Sequence, residues 1–455
     1  MRRSLIILAT GDSSSAPGDA PPSTLPLLGR PVVGYVLDAA RQLEAEEVLV
    51  VVDSHHARPV AEYLDSTASS ARVVEVGQGQ PMADGDAVHQ ALRHVPDAEG
   101  TVFVVAGDLP LLRPECLLSL AAAHGTSHAA ATLLTADGAL RTPRYDSPLR
   151  AFDAQLLRTA LHKLGPDSGP RRTTLADVLR LFRDERLRID GHGTDRPADV
   201  LRCPGPAELT RARLLLRGRI NEAWLHSGVT IIEPDSAWID ATVRLEPGVT
   251  LEPGVILRGR TSIAAGSVIG PDATLIDTTV EAGASVIRAH AVSATVGAGA
   301  SVGPFAYLRP DTVLGERTKI GTFVEVKQAT VGDGTQVAHL AYVGNASLGT
   351  DVNIGAGTTF SLYDGVTKHH TTVGDAAFIG CHTSLVAPVN VGPGAFTAAG
   401  SVITKDVPAG ALAVERGPQN NVEGWVARRR AGTPWAAAAE TATVGRKADD
   451  DGSGS

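Results

Sequence analysis

The side chains of this sequence that can bind anions or move protons concentrate between residues 309 and 368. Arg309 and Lys327 lie eighteen residues apart, and Lys368 follows further on. Arginine and lysine are the usual phosphate-binding residues, so these cations predict an anion site if the fold brings them together. His339 lies among them, and because histidine titrates near neutrality it is a candidate general base. Glu325, fourteen residues before His339, has a spacing that could let it orient the imidazole from a neighbouring rung.

A six-residue repeat from about Leu245 to Val407 is the feature that can position these side chains. On an α-helix a six-residue step rotates by about 240°, which scatters an aliphatic row over several faces. Short strands joined by tight turns keep the row on one side, and glycine or proline fills the turns. The pattern predicts a solenoid with a continuous aliphatic core rather than a β-sandwich. The row includes Leu251, Leu257, Ile263, Ile269, Leu275, Glu281, Ile287, Val296, Val302, Leu308, Leu314, Ile320 and Val326.

Three such steps make a coil of eighteen residues, so Arg309 and Lys327 are predicted to stack on one face in successive coils. The repeat breaks at residues 359–372, which cannot be hexapeptides and must loop out, carrying Lys368. A long insertion in a regular solenoid is more often functional than decorative.

The first half of the chain has a different pattern. Residues 4–8, 48–52, 72–76 and 101–105 are predicted strands, and residues 31–42, 57–64 and 85–93 are predicted helices. This alternation indicates a parallel, doubly wound sheet, in which ligands bind beyond the carboxyl ends of the strands. Two strand ends carry suggestive residues, Leu8-Ala9-Thr10-Gly11 and Gly107-Asp108.

Composition limits the possible classes of function. The chain has 455 residues and a net charge of −9, which argues against a nucleic-acid-binding surface. Its three cysteines, Cys116, Cys203 and Cys381, form no disulfide or zinc pattern and favour the cytoplasm. The apolar run at residues 5–8 is too short for a signal peptide, and no transmembrane run is present, so we expect no membrane association.

Together these features resemble the bacterial bifunctional N-acetylglucosamine-1-phosphate uridyltransferase/glucosamine-1-phosphate N-acetyltransferases (GlmU type). The resemblance includes the turn at residues 28–31 and is dense over residues 303–425, with GPFAYLRP at 303–310, HLAYVG at 339–344 and YDGVTK at 363–368. It implies an α/β Rossmann-like nucleotidyltransferase domain (1–205), a linker helix (206–228) and a left-handed parallel β-helix (229–426). A tail at 427–455 is expected to be disordered.

The resemblance also implies roles in the second half. His339 is the implied general base, and the implied sugar-phosphate residues are Arg309, Lys327, Tyr342, Asn353 and Lys368. The implied acetyl-CoA-binding residues are Ala356, Tyr363, Cys381, Ala399 and Arg416. Two positions depart from the family pattern: Leu362 stands for its asparagine and Cys381 for its serine. The loss of a polar group at Leu362 predicts either a different acceptor sugar or a lower rate.

The first half departs further from the family. The family's nucleotide-phosphate arginine and lysine fall on Ser15 and Pro22, and its uracil-side Gly-Thr becomes Ala83-Asp84. Asp108 matches one magnesium ligand, but the second falls near residues 206–208, where no asparagine stands. Phosphoryl transfer depends on positioning and charge neutralisation, so we expect uridyl transfer to be impaired or lost, with magnesium needed only if this domain is active. The remaining nucleotide-binding candidates are Leu8, Ala9, Thr10, Gly11 and Gln78.

The leading hypothesis is therefore an acetyl-CoA-dependent N-acetyltransferase acting on an amino-sugar 1-phosphate, with glucosamine 1-phosphate as the default acceptor. One alternative is a fully bifunctional enzyme that also makes UDP-N-acetylglucosamine from UTP with magnesium. Another is a non-catalytic scaffold. Because the family's active sites lie between subunits, we expect a homotrimer whose partners are small molecules and not nucleic acid.

Overall fold

The computed structural model describes residues 2–10, 21–54, 56–67, 69–77, 82–95, 99–137, 147–165 and 172–451, with backbone only beyond residue 442. Within this part of the chain, the first domain contains one seven-stranded sheet in the order β3-β2-β1-β4-β6-β5-β7. Its strands are β1 (Arg3–Leu8), β2 (Glu47–Asp53), β3 (Arg72–Val76), β4 (Thr101–Ala106), β5 (Ala131–Thr135), β6 (Leu149–Asp153) and β7 (Ile189–Gly193).

Helices cover both faces of this sheet because its central strands are aliphatic on both sides. Alternate residues of β1 enter two different cores, Ile6 on one face and Leu5 and Ile7 on the other. The helices are α1 (Val32–Ala40), α2 (Ala57–Ser66), α3 (Asp84–Leu92), α4 (Pro114–Ser127), α5 (Ala154–Leu164) and α6 (Leu175–Asp184). The α/β architecture expected from the sequence is confirmed.

The sheet departs from the expected all-parallel arrangement at one strand. β6 pairs antiparallel with both β4 and β5, whereas the other pairings are parallel. β6 directly follows β5 along the chain and returns beside it, and such a return needs no crossover helix.

The second domain is a parallel β-helix with three faces, as the repeat predicts. An eleven-stranded sheet forms the first face, and a seventeen-stranded sheet bends to form the second and third faces. The first face contains Thr230–Ile231, Thr250–Leu251, Val268–Ile269, Ser285–Val286, Ser301–Val302, Lys319–Thr322, Gln336–His339, Asn353–Ile354, Phe378–Ile379, Phe396–Thr397 and Leu412–Ala413. The bent sheet contains Trp238–Ile239, Arg244–Leu245, Ile256–Arg258, Ser262–Ile263, Thr274–Ile276, Thr279–Val280, His290–Val292, Ala294–Val296, Tyr307–Leu308, Thr312–Leu314, Glu325–Val331, Tyr342–Leu348, Thr359–Ser361, Thr371–Val373, Ser384–Val386, Val389–Val391 and Val402–Ile403.

The aliphatic repeat forms one core along the whole β-helix. Equivalent residues stack in register, as Leu257 does on Leu275. The step from Leu275 to Val280 is one residue shorter than the repeat, so Ile263 stacks on Val280 and the buried residues there are Val280 and Val286. Glu281 and Ile287 were therefore wrongly assigned to the buried row, and Ile287 is 40% exposed.

The linker helix α7 (Pro206–His226) contacts both domains. Arg219 donates to the carbonyl of Leu111 (2.6 Å) and to Asp199 (3.0 Å) in the first domain. Asn221 donates to the carbonyls of Pro234 and Ala237 at the start of the β-helix. The fully buried Asp199 carboxylate also accepts from Arg113 at 2.7 Å.

The tail beyond the β-helix differs from the expected disorder. Up to residue 451, where the description ends, it contains two helices, α8 (Trp425–Arg429) and α9 (Pro434–Asp451). The run of alanines from Ala436 to Ala439 explains the helix, because alanine has the highest helix propensity. Among the described residues, none of the helices combines the length and apolar character that crossing a membrane requires.

Candidate active site

Three cations converge on the second face of the β-helix. Leu308 pairs with Val326 in the next coil, and the Arg309 N–H donates to the Val326 carbonyl at 2.8 Å. Arg309 and Lys327 therefore hold equivalent positions one coil apart. Lys368 comes from the loop that interrupts the repeat. We call Arg309, Lys327 and Lys368 the cation cluster.

The charges of the cation cluster act on one another. The pKa of Lys327 lies below its usual value, first because of the Lys368 ammonium group and then through partial desolvation and the charge of Arg309. This mutual repulsion favours binding of an anion, which would neutralise the cluster.

Glu325 is paired with this cluster rather than with His339, contrary to the interpretation from spacing. Its carboxylate accepts a hydrogen bond from Arg309 at 2.8 Å, and the guanidinium also lies over the Tyr307 ring at 5.9 Å. The reason is register: Glu325 pairs with Tyr342, whereas the residue paired with His339 in the preceding coil is Thr322. Glu325 therefore orients the arginine.

Tyr342 and Leu362 meet over Gly344 on the same face. A Cβ atom added to Gly344 would lie 2.6 Å from both the Leu362 Cδ2 atom and the Tyr342 hydroxyl. Gly344 is therefore required by close packing, and Leu362 places an apolar group beside the Tyr342 hydroxyl. Burial raises the pKa of Tyr342, so its hydroxyl stays protonated and can donate a hydrogen bond.

The loop that carries Lys368 is held by a carboxylate and two histidines. Asp364 accepts from the backbone N–H groups of Val366 and Thr367, and its Oδ2 lies 2.8 Å from His369 Nε2. These contacts hold the pKa of Asp364 well below its usual range, and the hydrogen bond from the Thr367 N–H has the largest effect. His370 lies 3.0 Å from the Ser347 hydroxyl. The sequence analysis singled out neither His369 nor His370, because no motif indicates these contacts.

His339 belongs to a row of residues at the corner between the first and second faces. Successive backbone hydrogen bonds join this row: Leu340 to the Thr322 carbonyl, Gly357 to that of His339, His382 to that of Ala356 and Gly400 to that of Cys381. We call Thr322, His339, Ala356, Cys381 and Ala399 the corner ladder. At its end the Arg416 guanidinium donates to the Ala399 carbonyl at 3.1 Å.

Two of the implied site residues lie elsewhere within residues 172–451, all of which are described. Asn353 lies on the first face, paired with Gln336 and Phe378, and so not on the face of the cation cluster. Tyr363 is 61% exposed on the loop, where its hydroxyl donates to the Gly365 carbonyl, and it lies outside the corner ladder.

The first domain has a cavity of about 340 Å³ at the carboxyl ends of β1 and β4. Leu8, Thr10 and Ala83 are among its lining residues, whereas Ala9 is fully buried and points into the core. Gly11, Ser15 and Gln78 lie outside the described residues. The sequence interpretation missed three further lining residues, Arg150, Arg172 and Arg202, because their spacing carries no motif.

Asp108, the candidate metal ligand, forms an ion pair with an arginine. The Arg202 Nε lies 3.0 and 3.1 Å from its two carboxylate oxygens. The residue that faces Asp108 is thus Arg202, not one at positions 206–208. Magnesium would have to bind the same oxygens at about 2.0–2.1 Å and would be repelled by the guanidinium, so this arrangement does not fit the metal.

Comparison with known proteins gives consistent matches. The MobA-like NTP transferase domain model matches residues 5–181. The chain is 43% identical to the bifunctional protein GlmU of Kineococcus radiotolerans, over 96% of this chain and 94% of that protein. It is 41% identical to the bifunctional protein GlmU of Streptomyces coelicolor, with 98% of each chain covered. It is also 41% identical to that of Mycolicibacterium vanbaalenii, with 94% of each covered.

Proposed function

Because the chain belongs to the family of bifunctional GlmU proteins, we propose that its β-helix transfers an acetyl group from acetyl-CoA to the amine of an amino-sugar 1-phosphate. Glucosamine 1-phosphate is the proposed acceptor. The second domain carries the motifs on which this reaction depends, and the first domain departs from its family pattern.

The observation that carries the proposal is the position of the cation cluster beside the corner ladder. A sugar phosphate is close to dianionic at neutral pH, so Arg309 and Lys327 can hold it from successive coils while Lys368 approaches from the loop. Tyr342 begins the second face just after the corner, three residues beyond His339. A phosphate held by the cluster therefore leaves the sugar free to extend toward His339.

The chemistry requires a neutral amine, whereas an amino sugar carries an ammonium group in much of the neutral range. His339 accepts a proton as the amine attacks the thioester carbonyl carbon. A carbon–nitrogen bond then forms, the carbon–sulfur bond breaks, and CoA leaves as its thiol after taking up a proton. His339 is exposed, so it can exchange that proton with solvent.

The corner ladder has room for the extended arm of CoA. Ala356, Cys381 and Ala399 have small side chains in successive coils, so an extended ligand can lie along the corner. Neighbouring strands are separated by about 4.8 Å, and the three steps from His339 to Ala399 span roughly 15 Å. Arg416 at the end of the ladder can bind a phosphate of CoA.

For the first domain we propose that uridyl transfer is impaired. Supporting observations are the pairing of Asp108 with Arg202 and the presence of Pro22 and Ala83 at positions where the family has working residues. The names of the relatives favour a second candidate, a fully bifunctional enzyme, and the cavity at the strand ends is compatible with it.

The experiment is a thiol-release assay with acetyl-CoA and a panel of amino-sugar 1-phosphates, beginning with glucosamine 1-phosphate. We expect turnover with at least one of these acceptors and none with the matching N-acetylated sugar phosphate, which has no free amine. Absence of turnover across the panel would favour a non-catalytic scaffold.

A further inference from the structure

We propose that the guanidinium group of Arg202 takes the place of a divalent cation in the first-domain cavity, so that this domain binds phosphate-bearing ligands without magnesium. This inference rests on the first-domain half of the proposed function and is independent of acetyl transfer. It concerns binding rather than turnover.

A backbone hydrogen bond positions Arg202 beside Asp108. The N–H of Cys203 donates to the Asp108 carbonyl at 3.1 Å, which fixes the backbone beside Asp108. The Cys203 side chain is itself buried, so this segment is anchored. Arg202 then reaches both carboxylate oxygens of Asp108, whose side chain is only 8% exposed. Asp108 is thus a buried carboxylate whose negative charge is already neutralised by the protein.

A divalent cation would have to displace this arginine. That step would break charge-assisted hydrogen bonds and bring two cations to one carboxylate, both of which oppose metal binding. Magnesium also prefers near-ideal octahedral coordination by oxygen. Among the described residues, no group of three or more His, Cys, Asp or Glu side chains is arranged to hold a metal.

The rest of the cavity is suited to an anion. Arg150 and Arg172 line it together with Arg202, and Asp84 is the carboxylate among the lining residues that the structure describes. Asp84 is already engaged, because its Oδ1 accepts from the N–H groups of Gly85 and Leu175 at 2.9 and 2.8 Å. Its Oδ2 lies 3.5 Å from the Arg150 guanidinium, so one of the three arginines balances this carboxylate. Arginines bind phosphate oxygens in pairs, so a di- or triphosphate can be held here without a metal bridge.

The same arrangement explains why binding need not lead to transfer. In phosphoryl transfer, metal ions bridge phosphate oxygens and neutralise the charge that develops as the bond breaks. A guanidinium fixed to Asp108 supplies charge at one position but cannot coordinate oxygens in the same way. The cavity would then act as a ligand-binding site on an acetyltransferase.

The test measures binding of UTP by calorimetry, in EDTA and in excess magnesium. We expect the wild-type protein to bind UTP as tightly in EDTA as with magnesium, and Arg202→Asn to weaken binding by about 10–100-fold. The control variant is Arg211→Ala, which removes an exposed arginine of α7 and should bind UTP normally. Loss of wild-type binding in EDTA, or no binding in either condition, would overturn the inference.

Manganese, detected by electron paramagnetic resonance, tests metal exclusion directly. The wild-type protein should show no manganese site that depends on Asp108. Arg202→Asn should gain one, and Arg202→Asn combined with Asp108→Asn should lose it again. A wild-type manganese site that Asp108→Asn abolishes would contradict the inference. Acetyl transfer by Arg202→Asn should match wild type, which shows that the variant is folded and separates this test from that of the β-helix.

Discussion

His339 and Ala356 occupy the same corner of successive coils, and the N–H that follows Ala356 donates to the His339 carbonyl at 3.3 Å. This relationship places the candidate base in line with the small residues on which the CoA arm is proposed to lie. The cation cluster lies on the adjoining face. The two proposed substrates would therefore approach one corner of the β-helix along separate paths.

Arg309→Ala is expected to act mainly on substrate binding. It removes the proposed phosphate contact, which would be made in both the ground state and the transition state, so KM for the sugar phosphate should rise while kcat changes little. Steady-state kinetics with the best acceptor measure both constants. The control is Arg317→Ala, an exposed arginine one corner away that pairs only with the neighbouring Glu316 in the described contacts. A fall in kcat at unchanged KM would contradict the assignment.

Assembly is the second prediction: the protein should be a homotrimer. Phe305, Phe323 and Leu340 form an exposed apolar row at the corner beside His339, with the two phenylalanine rings stacked at 5.4 Å. Exposed apolar patches of this kind mark protein interfaces. Light scattering at micromolar concentration measures the mass directly, and a monomer would contradict the prediction.

A trimer would also explain the position of Asn353 on the first face, because a neighbouring subunit can bring that face to the site. We expect a refolded mixture of His339→Ala and Asn353→Ala subunits to be more active than either variant refolded alone. Equal activity before and after mixing would place Asn353 outside a shared site.

Uridyl transfer should be slow or absent. Pyrophosphate release from UTP and N-acetylglucosamine 1-phosphate is expected to stay below an ordinary enzyme rate of about 1 s⁻¹. The reasons are that Pro22 stands at the position that the resemblance assigns to a cation and that Arg202 pairs with Asp108. A coupled pyrophosphate assay with excess magnesium measures this. A rate above that level would establish the fully bifunctional enzyme instead.

Asp199→Asn should destabilise the first domain and its junction with α7. It leaves Arg113 and Arg219 without their buried carboxylate, which costs about 3–5 kcal/mol in the free energy of unfolding. Burial alone would raise the pKa of Asp199, but hydrogen bonds from Arg113 and the Cys116 thiol outweigh it and the pKa is lowered. The stabilisation is therefore present above the unfolded pKa of about 3.9 and is lost as the pH falls through the folded value.

Urea denaturation followed by circular dichroism measures the effect of Asp199→Asn. Asp195→Asn is the matched control, since Asp195 also pairs with Arg113 but is 77% exposed and should change stability by less than about 1 kcal/mol. Equal destabilisation by the two variants would show that the buried Asp199 contributes no more to the free energy of unfolding than the exposed Asp195.

Much of the fold could be predicted from sequence because the signals are repetitive. A six-residue period over many coils determines the solenoid, and aliphatic runs alternating with helical segments determine the α/β domain. The period also predicted that Arg309 and Lys327 stack in successive coils, as they do. It failed for Glu281 and Ile287, because the short step from Leu275 to Val280 moves the buried positions there to Val280 and Val286.

Pairings between distant segments could not be predicted in the same way. Glu325 was assigned to His339 by a spacing of fourteen residues, but the register that decides its partner is set by the length of each coil. Arg202 reaches Asp108 across 94 residues, through a contact that no local pattern encodes. The helix of residues 434–451 was missed because low apolar content was given more weight than alanine propensity.

The role of His339 as the general base is tested most directly by the turnover of His339→Ala in acetyl transfer. We expect turnover to fall by roughly 10²–10⁴-fold, because the proposed base is removed, with little change in acetyl-CoA affinity. Turnover should be measured by thiol release on an acceptor that the wild-type protein uses well, and affinity by equilibrium binding. Near-normal turnover of His339→Ala on that acceptor would contradict the mechanism and leave His339 as a structural residue of the corner.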